Sequence, residues 1–131
     1  MGLFNSNFYT LKSAMDVSML RQEIHSQNLA NAETPGYKRR YVVFESILQK
    51  VIDERNIKLN TTNSKHIGLY RTPVKPVVMR DMLTSYRNDG NNVDVDVEVV
   101  EMVKNGLKYQ AFTKLLNMNI DRYNTVLRGV R

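Results

Sequence analysis

Positions 102, 105, 109, 112, 116, 119, 123, 126 and 130 follow one another at alternating steps of three and four. Seven of these nine are apolar or aromatic: Met102, Tyr109, Phe112, Leu116, Tyr123, Val126 and Val130. A stripe of about four heptads requires a long helix that packs, coiled-coil fashion, on another helix. The charges agree, because Asp94, Asp96, Glu98 and Glu101 crowd the start while Arg122, Arg128 and Arg131 crowd the end. Acids at a helix N-terminus and bases at its C-terminus complement the helix dipole. The spacing predicts a helix over about 94–129. Its first turn is contested by Val93-Asp94-Val95-Asp96-Val97, which alternates as a strand does. A second stripe, Val99, Val103 and Leu107, lies beside the first.

The partner helix is legible at the other end of the chain. Phe8, Leu11 and Met15 share one face, and Val17, Leu20 and Ile24 form an adjacent stripe, which predicts a helix over about 6–31. It stops at Asn28-Leu29-Ala30-Asn31-Ala32-Glu33-Thr34-Pro35-Gly36-Tyr37. Asn31 and Gly36 tolerate positive φ, and Pro35 cannot continue a helix and pushes Thr34 towards extended geometry. Phe44, Ile47, Leu48, Val51 and Ile52 then fit a shorter helix over about 43–54. From about 56 to 92, Pro73, Pro76, the Asp89-Gly90 dipeptide and short β-branched groups such as Val77-Val78 indicate loops with at most two or three short strands.

The expected fold is therefore mainly α. Long N- and C-terminal helices pair as a coiled-coil-like hairpin, with a short third helix and an irregular middle segment holding a few short strands. The divisions are 1–33 (N-terminal helix), 34–55 (turn and short helix), 56–92 (middle) and 93–131 (C-terminal helix), the first and last forming one unit. Both long helices carry more apolar surface than one partner covers, so helices of other subunits are expected on the surplus stripes.

Catalytic and ligand chemistry finds little support. The chain has no cysteine, which removes thiolate catalysis, disulfides and cysteine zinc sites together. His25 and His66 stand far apart with no carboxylate at metal-ligand spacing, so no metal is expected; His25 reads as a helix-surface residue and His66 as a loop residue. Asp89-Gly90-Asn91-Asn92-Val93-Asp94-Val95-Asp96 departs from a calcium loop at Val93 and lacks its following glycine. No phosphate loop or nucleophile elbow is present, so neither a cofactor nor enzymatic activity is expected. The formal charge of +6 raises nucleic acid as a partner, but only Lys38-Arg39-Arg40 forms a basic run, and it reads as a solvated or subunit-facing turn. The longest apolar run, Tyr41 to Phe44, is too short to cross a membrane, and the first twenty residues lack the pattern of a Sec-type signal.

Asn28-x-x-Asn31 followed by Thr34-Pro35-Gly36-Tyr37 resembles the signature shared by rod and hook proteins of the bacterial flagellar axial family, with Leu29 in place of the usual isoleucine. Asp89-Gly90-Asn91-Asn92-Val93-Asp94 followed by Asn105-Gly106-Leu107-Lys108-Tyr109-Gln110 is similar to the short proximal-rod members. The resemblance covers about 11–50 and 88–130. It implies a structural subunit of the rod, a drive shaft and export-channel wall whose terminal helices pack as an inner tube. The turn residues Asn28, Asn31, Thr34, Pro35, Gly36 and Tyr37 would redirect the chain from that tube to an outer layer. Phe8, Leu11, Met15, Val17, Leu20, Ile24, Val103, Leu107, Tyr109, Phe112, Leu116, Tyr123 and Val126 would form the assembly interface. The implied partners are other copies of the chain, other rod proteins, the protein joining the rod to the MS ring, and the flagellar type III export apparatus. The implied place is the periplasmic rod of the basal body, reached without a cleaved signal peptide. A free-standing helical adaptor or chaperone that binds a partner helix through the same stripes is the alternative.

Overall fold

In a computed structural model the chain is described over residues 6–56 and 75–129, with side chains from Phe8 to Lys50 and from Lys75 to Gly129. Five elements follow one another: α1 (Ser6–Ala30), β1 (Arg40–Val43), α2 (Glu45–Asn56), β2 (Val77–Arg80) and α3 (Val95–Arg128). The two long helices have 25 and 34 residues, roughly 37 and 51 Å at helical rise. They run antiparallel. Glu98 near the start of α3 meets His25 near the end of α1, and Asn105 about two turns on meets Ser18 and Gln22. Carried along at equal rise, that register sets Ser6 level with about residue 118, so the last turns of α3 run past the described start of α1.

The contested start of α3 resolves as helix. Asp94 is its N-cap: the backbone is extended there, and Oδ1 accepts from the N–H groups of Asp96 (3.0 Å) and Val97 (3.2 Å). A cap that satisfies two orphan donors outweighs the strand-like alternation of Val93 to Val97. The heptad stripe turns toward α1. Met102, Tyr109, Phe112, Leu116 and Asn119 are partly covered, and its polar member Asn105 is buried. Asn105 donates through Nδ2 to the Ser18 carbonyl (2.8 Å) and to Gln22 Oε1 (3.0 Å), fixing register as a buried amide in a helix seam does.

The second stripe of α1 departs from expectation. Val17 and Ile24 are buried in a core with Val42 and Phe44, and Leu20 and Leu48 pack on its edge. The outer layer of the same chain therefore covers this face. The four-residue run Tyr41 to Phe44 supplies the cover: Arg40–Val43 form β1, Val42 turns inward, and Phe44 follows it just ahead of α2. The equivalent stripe on α3 stays open, with Val99, Val103 and Leu107 all exposed.

β1 pairs antiparallel with β2 in the register Arg40↔Arg80, Tyr41↔Met79, Val42↔Val78 and Val43↔Val77. One partner strand thus lies outside the middle segment to which strands were assigned, because extended pairing there needs a neighbour and β1 is the one within reach. The short helix starts at Glu45, two residues later than its periodicity suggested, with Glu45 in its first turn. Arg21 reaches across from α1 to grip Glu45, Nη1 donating to Oε1 at 2.7 Å, and holds that carboxyl below its usual range. Ile47 and Leu48 are partly covered, and Val51 and Ile52 lie outside the described side chains, as do Val130 and His66.

Phe44→Ala is expected to lower the unfolding free energy by about 3 kcal/mol, the loss of a buried aromatic from a small core. Urea denaturation followed by circular dichroism checks it.

Candidate functional site

The stretch that ends α1 and the stretch that begins α3 close on each other. The C-terminal carbonyls of a helix lack intrahelical donors, and here the donors arrive from about sixty residues further along the chain. Asn91 Nδ2 lies within hydrogen-bond reach of the carbonyls of Asn31 (3.0 Å), Ala32 (3.0 Å) and Thr34 (2.9 Å), while its Oδ1 accepts from the Val93 N–H (2.7 Å). Arg87 Nη1 adds a bond to the Ala32 carbonyl and pairs with Glu33 at 3.0 Å. Asn31 donates back to the Gln27 carbonyl (2.8 Å), and Thr34 Oγ1 donates to Asn31 Oδ1 (3.2 Å).

Two glycines permit this closure through their backbone conformation. Gly36 has φ +70° and Gly90 φ +81°, and no described non-glycine residue takes positive φ, so Asn31 does not use the freedom its residue type allows. The Gly36 N–H donates to the Asp89 carbonyl at 2.9 Å, and a Cβ on Gly90 would stand 3.9 Å from the Gly36 Cα. Space is therefore no obstacle to a side chain at Gly36, where no atom lies within 4 Å of a built Cβ. Backbone conformation is the obstacle.

Asn28 is fully buried and fastens the outer layer to α1. Its Oδ1 accepts from the Arg40 N–H (3.0 Å) and from the Tyr37 hydroxyl (3.2 Å), and its Nδ2 donates to the Arg40 carbonyl (2.7 Å). One amide thereby offers Arg40 a donor and an acceptor, as a neighbouring strand would; a carboxylate in that place has no donor to give. Asn92 repeats the device one layer out. It accepts from the Arg39 N–H (2.7 Å) and donates to the Asp81 carbonyl (2.9 Å) and Thr84 Oγ1 (2.8 Å).

At the centre lies Glu98, with a fully buried side chain. Its Oε2 accepts from His25 Nδ1 (2.6 Å) and Asn28 Nδ2 (3.2 Å), and its Oε1 accepts from Arg39 Nε. Because an ionised carboxylate only accepts, the proton of the His25 contact sits on Nδ1. Burial pushes the Glu98 carboxyl up, but the hydrogen bonds from His25, Arg39 and Asn28 and the charge of Arg39 outweigh it. The group is held below the ordinary carboxylate value of 4.5.

Three expectations are corrected here. His25 is a buried partner of Glu98 and not a helix-surface residue; its place in the apolar spacing gave no hint of a carboxylate opposite it. Glu98 does more than complement the helix dipole, because it lies four residues after the cap and points inward. Lys38-Arg39-Arg40 is not a solvated turn either. Arg39 binds Glu98, Lys38 Nζ donates to the Thr84 carbonyl (2.9 Å), and Arg40 belongs to β1.

The residues put forward as an interface fall into three groups. Val17 and Ile24 are buried and Leu20 is partly covered in the chain's own core. Phe8, Leu11 and Met15 on α1, and Tyr109, Phe112 and Leu116 on α3, are partly covered. Val103, Leu107, Tyr123 and Val126 are exposed. Of the turn residues, Asn28, Asn31 and Tyr37 face into the junction, and Thr34, Pro35 and Gly36 lie on its surface. Among the described residues no helix is long and apolar enough to cross a membrane.

A junction of this kind holds elements at fixed angles, and beside it the stripe of Val99, Val103 and Leu107 on α3 lies exposed. Residues 8–38, which span α1 and the turn, match the family described as flagella basal body rod protein. The chain is 31% identical to flagellar basal body rod protein FlgB of Bacillus subtilis (strain 168), with 98% of each chain covered. It is 33% identical to FlgB of Borrelia hermsii, over 98% of this chain and all of that one. It is 34% identical to FlgB of Salmonella typhimurium, with 90% of each covered. The chain belongs to the FlgB family of flagellar basal body rod proteins, which are structural components and not enzymes.

Two outcomes follow from the junction. Glu98→Ala is expected to cost about 3 kcal/mol of stability, because Arg39 and His25 lose a buried partner. The depressed carboxyl contributes stability that is complete above its unfolded value near 4.5 and is lost as pH falls through its lower folded value. The urea midpoint should drop on acidification below that range, and Glu98→Gln should shrink the drop. Gly36→Ala should cost about 1–2 kcal/mol through the left-handed backbone alone, measurable as a lower urea midpoint with an unchanged far-UV spectrum.

Proposed function

We propose that the chain builds the proximal part of the flagellar rod, where it serves as a torque-transmitting element and lines the export channel with its terminal helices. The supporting observation is the asymmetry of α3. Its heptad stripe is packed toward α1 as far as Leu116, while Val99, Val103 and Leu107 remain exposed at 42%, 59% and 61%. Isolated exposed apolar residues are ordinary in a soluble protein, but a regular stripe along a long helix marks a packing surface. In a rod that surface packs on a neighbouring subunit, and stiffness comes from many such helix contacts.

The turn motif gains a role in the same picture. Asn28, Asn31, Thr34, Pro35, Gly36 and Tyr37 set the angle between the hairpin and the outer layer of β1, α2 and β2. A subunit that transmits torque needs that angle fixed, and the hydrogen bonds of Asn28 and Asn91 fix it. The partners in this reading are other copies of the chain, other rod proteins, the protein joining the rod to the MS ring and, on the way out, the flagellar type III export apparatus. Within it the terminal helices act as one unit and the outer layer as its lateral support.

Phe112 and Leu20 are partly covered within the chain, so a charge at either disturbs folding and assembly together. Leu107 separates the two. Leu107→Asp is expected to abolish swimming when it replaces the native chain in a flagellated cell, while the purified variant keeps its helicity and urea midpoint. Normal motility with that variant would remove the outer face of α3 from the assembly.

A further inference from the structure

The two edges of the small sheet are treated differently by the rest of the chain. The Asp81 N–H donates to the Arg39 carbonyl at 2.9 Å, one residue beyond the β1–β2 register. Bonded and unbonded pairs alternate in an antiparallel ladder. Tyr41↔Met79 and Val43↔Val77 are therefore bonded to each other, while Arg40, Val42, Val78 and Arg80 turn their N–H and C=O groups outward. On β1 the outward groups are met from α1. Asn28 accepts from the Arg40 N–H and donates to its carbonyl, and Arg21 Nη2 donates to the Val42 carbonyl at 3.4 Å. On β2 the outward groups of Val78 and Arg80 meet no described residue, and all four side chains of the strand are exposed.

The charge at this open edge is one-sided. Lys75-Pro76-Val77-Val78-Met79-Arg80 is an apolar run with a base at each end and no acid. Arg80 stands directly opposite Arg40, an unfavourable cross-strand pair. Arg40, Lys75 and Arg80 form no ion pair with any described residue, and Arg40 Nε is buried without an acceptor. Bases and a proline on an edge strand discourage pairing with a second copy, whose β2 brings the same charges. They leave the edge open to a strand of opposite charge.

We propose that the open edge of β2 takes an extended segment of another protein as a third, antiparallel strand, apolar in its middle with an acidic residue at each end. The acid at the N-terminal end of that segment stands opposite Arg80, and the other stands opposite Lys75. The residue opposite Val78 exchanges both backbone bonds with it. Backbone bonds supply affinity, and the flanking charges set register and choice of partner. The inference does not rest on the rod-subunit reading, because neither α1 nor α3 takes part in the contact. It gives the outer layer a binding face of its own.

The probe is a fluorescein-labelled synthetic peptide, Glu-Val-Val-Thr-Val-Glu, titrated with the purified full chain and followed by anisotropy. Binding should saturate. N-methylation of the third peptide residue, whose N–H points at Val78, should weaken it about tenfold or more. N-methylation of the fourth, whose N–H points away, should leave it within about twofold. Lysines in place of both glutamates should weaken binding about tenfold, and Arg80→Glu should transfer the preference to a peptide with lysine first and glutamate last. Val78→Pro removes an edge donor and no bond to β1, so it should abolish binding while the far-UV spectrum and urea midpoint stay unchanged. Arg80→Glu decides alone if that variant unfolds. No saturable binding at millimolar peptide, or binding indifferent to the N-methyl position or to the charge reversals, would overturn the proposal. Dimers of the chain that Val78→Pro dissolves, with no peptide bound, would also overturn it and give the edge to a second copy.

Discussion

The arrangement of the molecule depends on one buried carboxylate. Glu98 sits on α3, and its partners come from α1 (His25, Asn28) and from the strand-forming segment of the outer layer (Arg39). A buried ion pair is weak evidence for net stability, because the desolvation of the charges offsets most of their attraction. Its effect here is on geometry. An ionised carboxylate removed from water tolerates no arrangement that leaves it unpaired, so the three elements are brought to the one relation in which all its donors arrive together. The apolar core of Val17, Ile24, Val42 and Phe44 is small and would accept some sliding. The Glu98 cluster and the buried Asn105 would not.

Around that carboxylate the asparagines do the joining. Asn28, Asn91 and Asn92 are each nearly or fully buried, and each bonds to backbone groups of a segment distant in sequence. An amide side chain is the smallest group with both a donor pair and an acceptor, so it can stand in for a missing strand or complete a helix end. This explains why a helix can stop and the chain reverse within a few residues without burying unsatisfied carbonyls. It also gives the two sequence signatures a shared physical meaning. Asn28 to Tyr37 and Asp89 to Asp94 are two halves of one junction, with Gly36 bonded to the Asp89 carbonyl and Gly90 beside it.

The elements whose structure depends on periodicity were legible in the sequence. The heptad stripe of α3, the stop after α1 and the short helix near residue 45 are local patterns, and the stripe toward α1 holds through Phe112 and Leu116. What was not legible depends on contacts across the chain. No local rule says that Val17 and Ile24 meet a strand from the same chain, so their stripe looked surplus although Val42 and Phe44 cover it. His25, Glu98 and Arg39 each had an adequate local explanation as surface, dipole and turn residues. Only their convergence shows the cluster. One signal was available: Glu98 lies seven residues before Asn105, on the α1-facing stripe, and that spacing places an acid in the helix seam.

α1 and α3 are divided unequally between inside and outside. α1 is enclosed on two sides, by α3 through the heptad stripe and by the outer layer through Val42 and Phe44. Among the described residues α3 is enclosed on one side only, and it is the longer helix, extending past the described start of α1 by several turns. A hairpin of equal helices would bury its stripes within itself. Here, among the described residues, the surplus length and the exposed stripe of Val99, Val103 and Leu107 both belong to α3. The junction at its base fixes the direction in which that element projects. At that base stand the Glu98 cluster and the Asn91 clamp. These are hydrogen-bonded and directional, whereas a small apolar core resists separation but yields to shear.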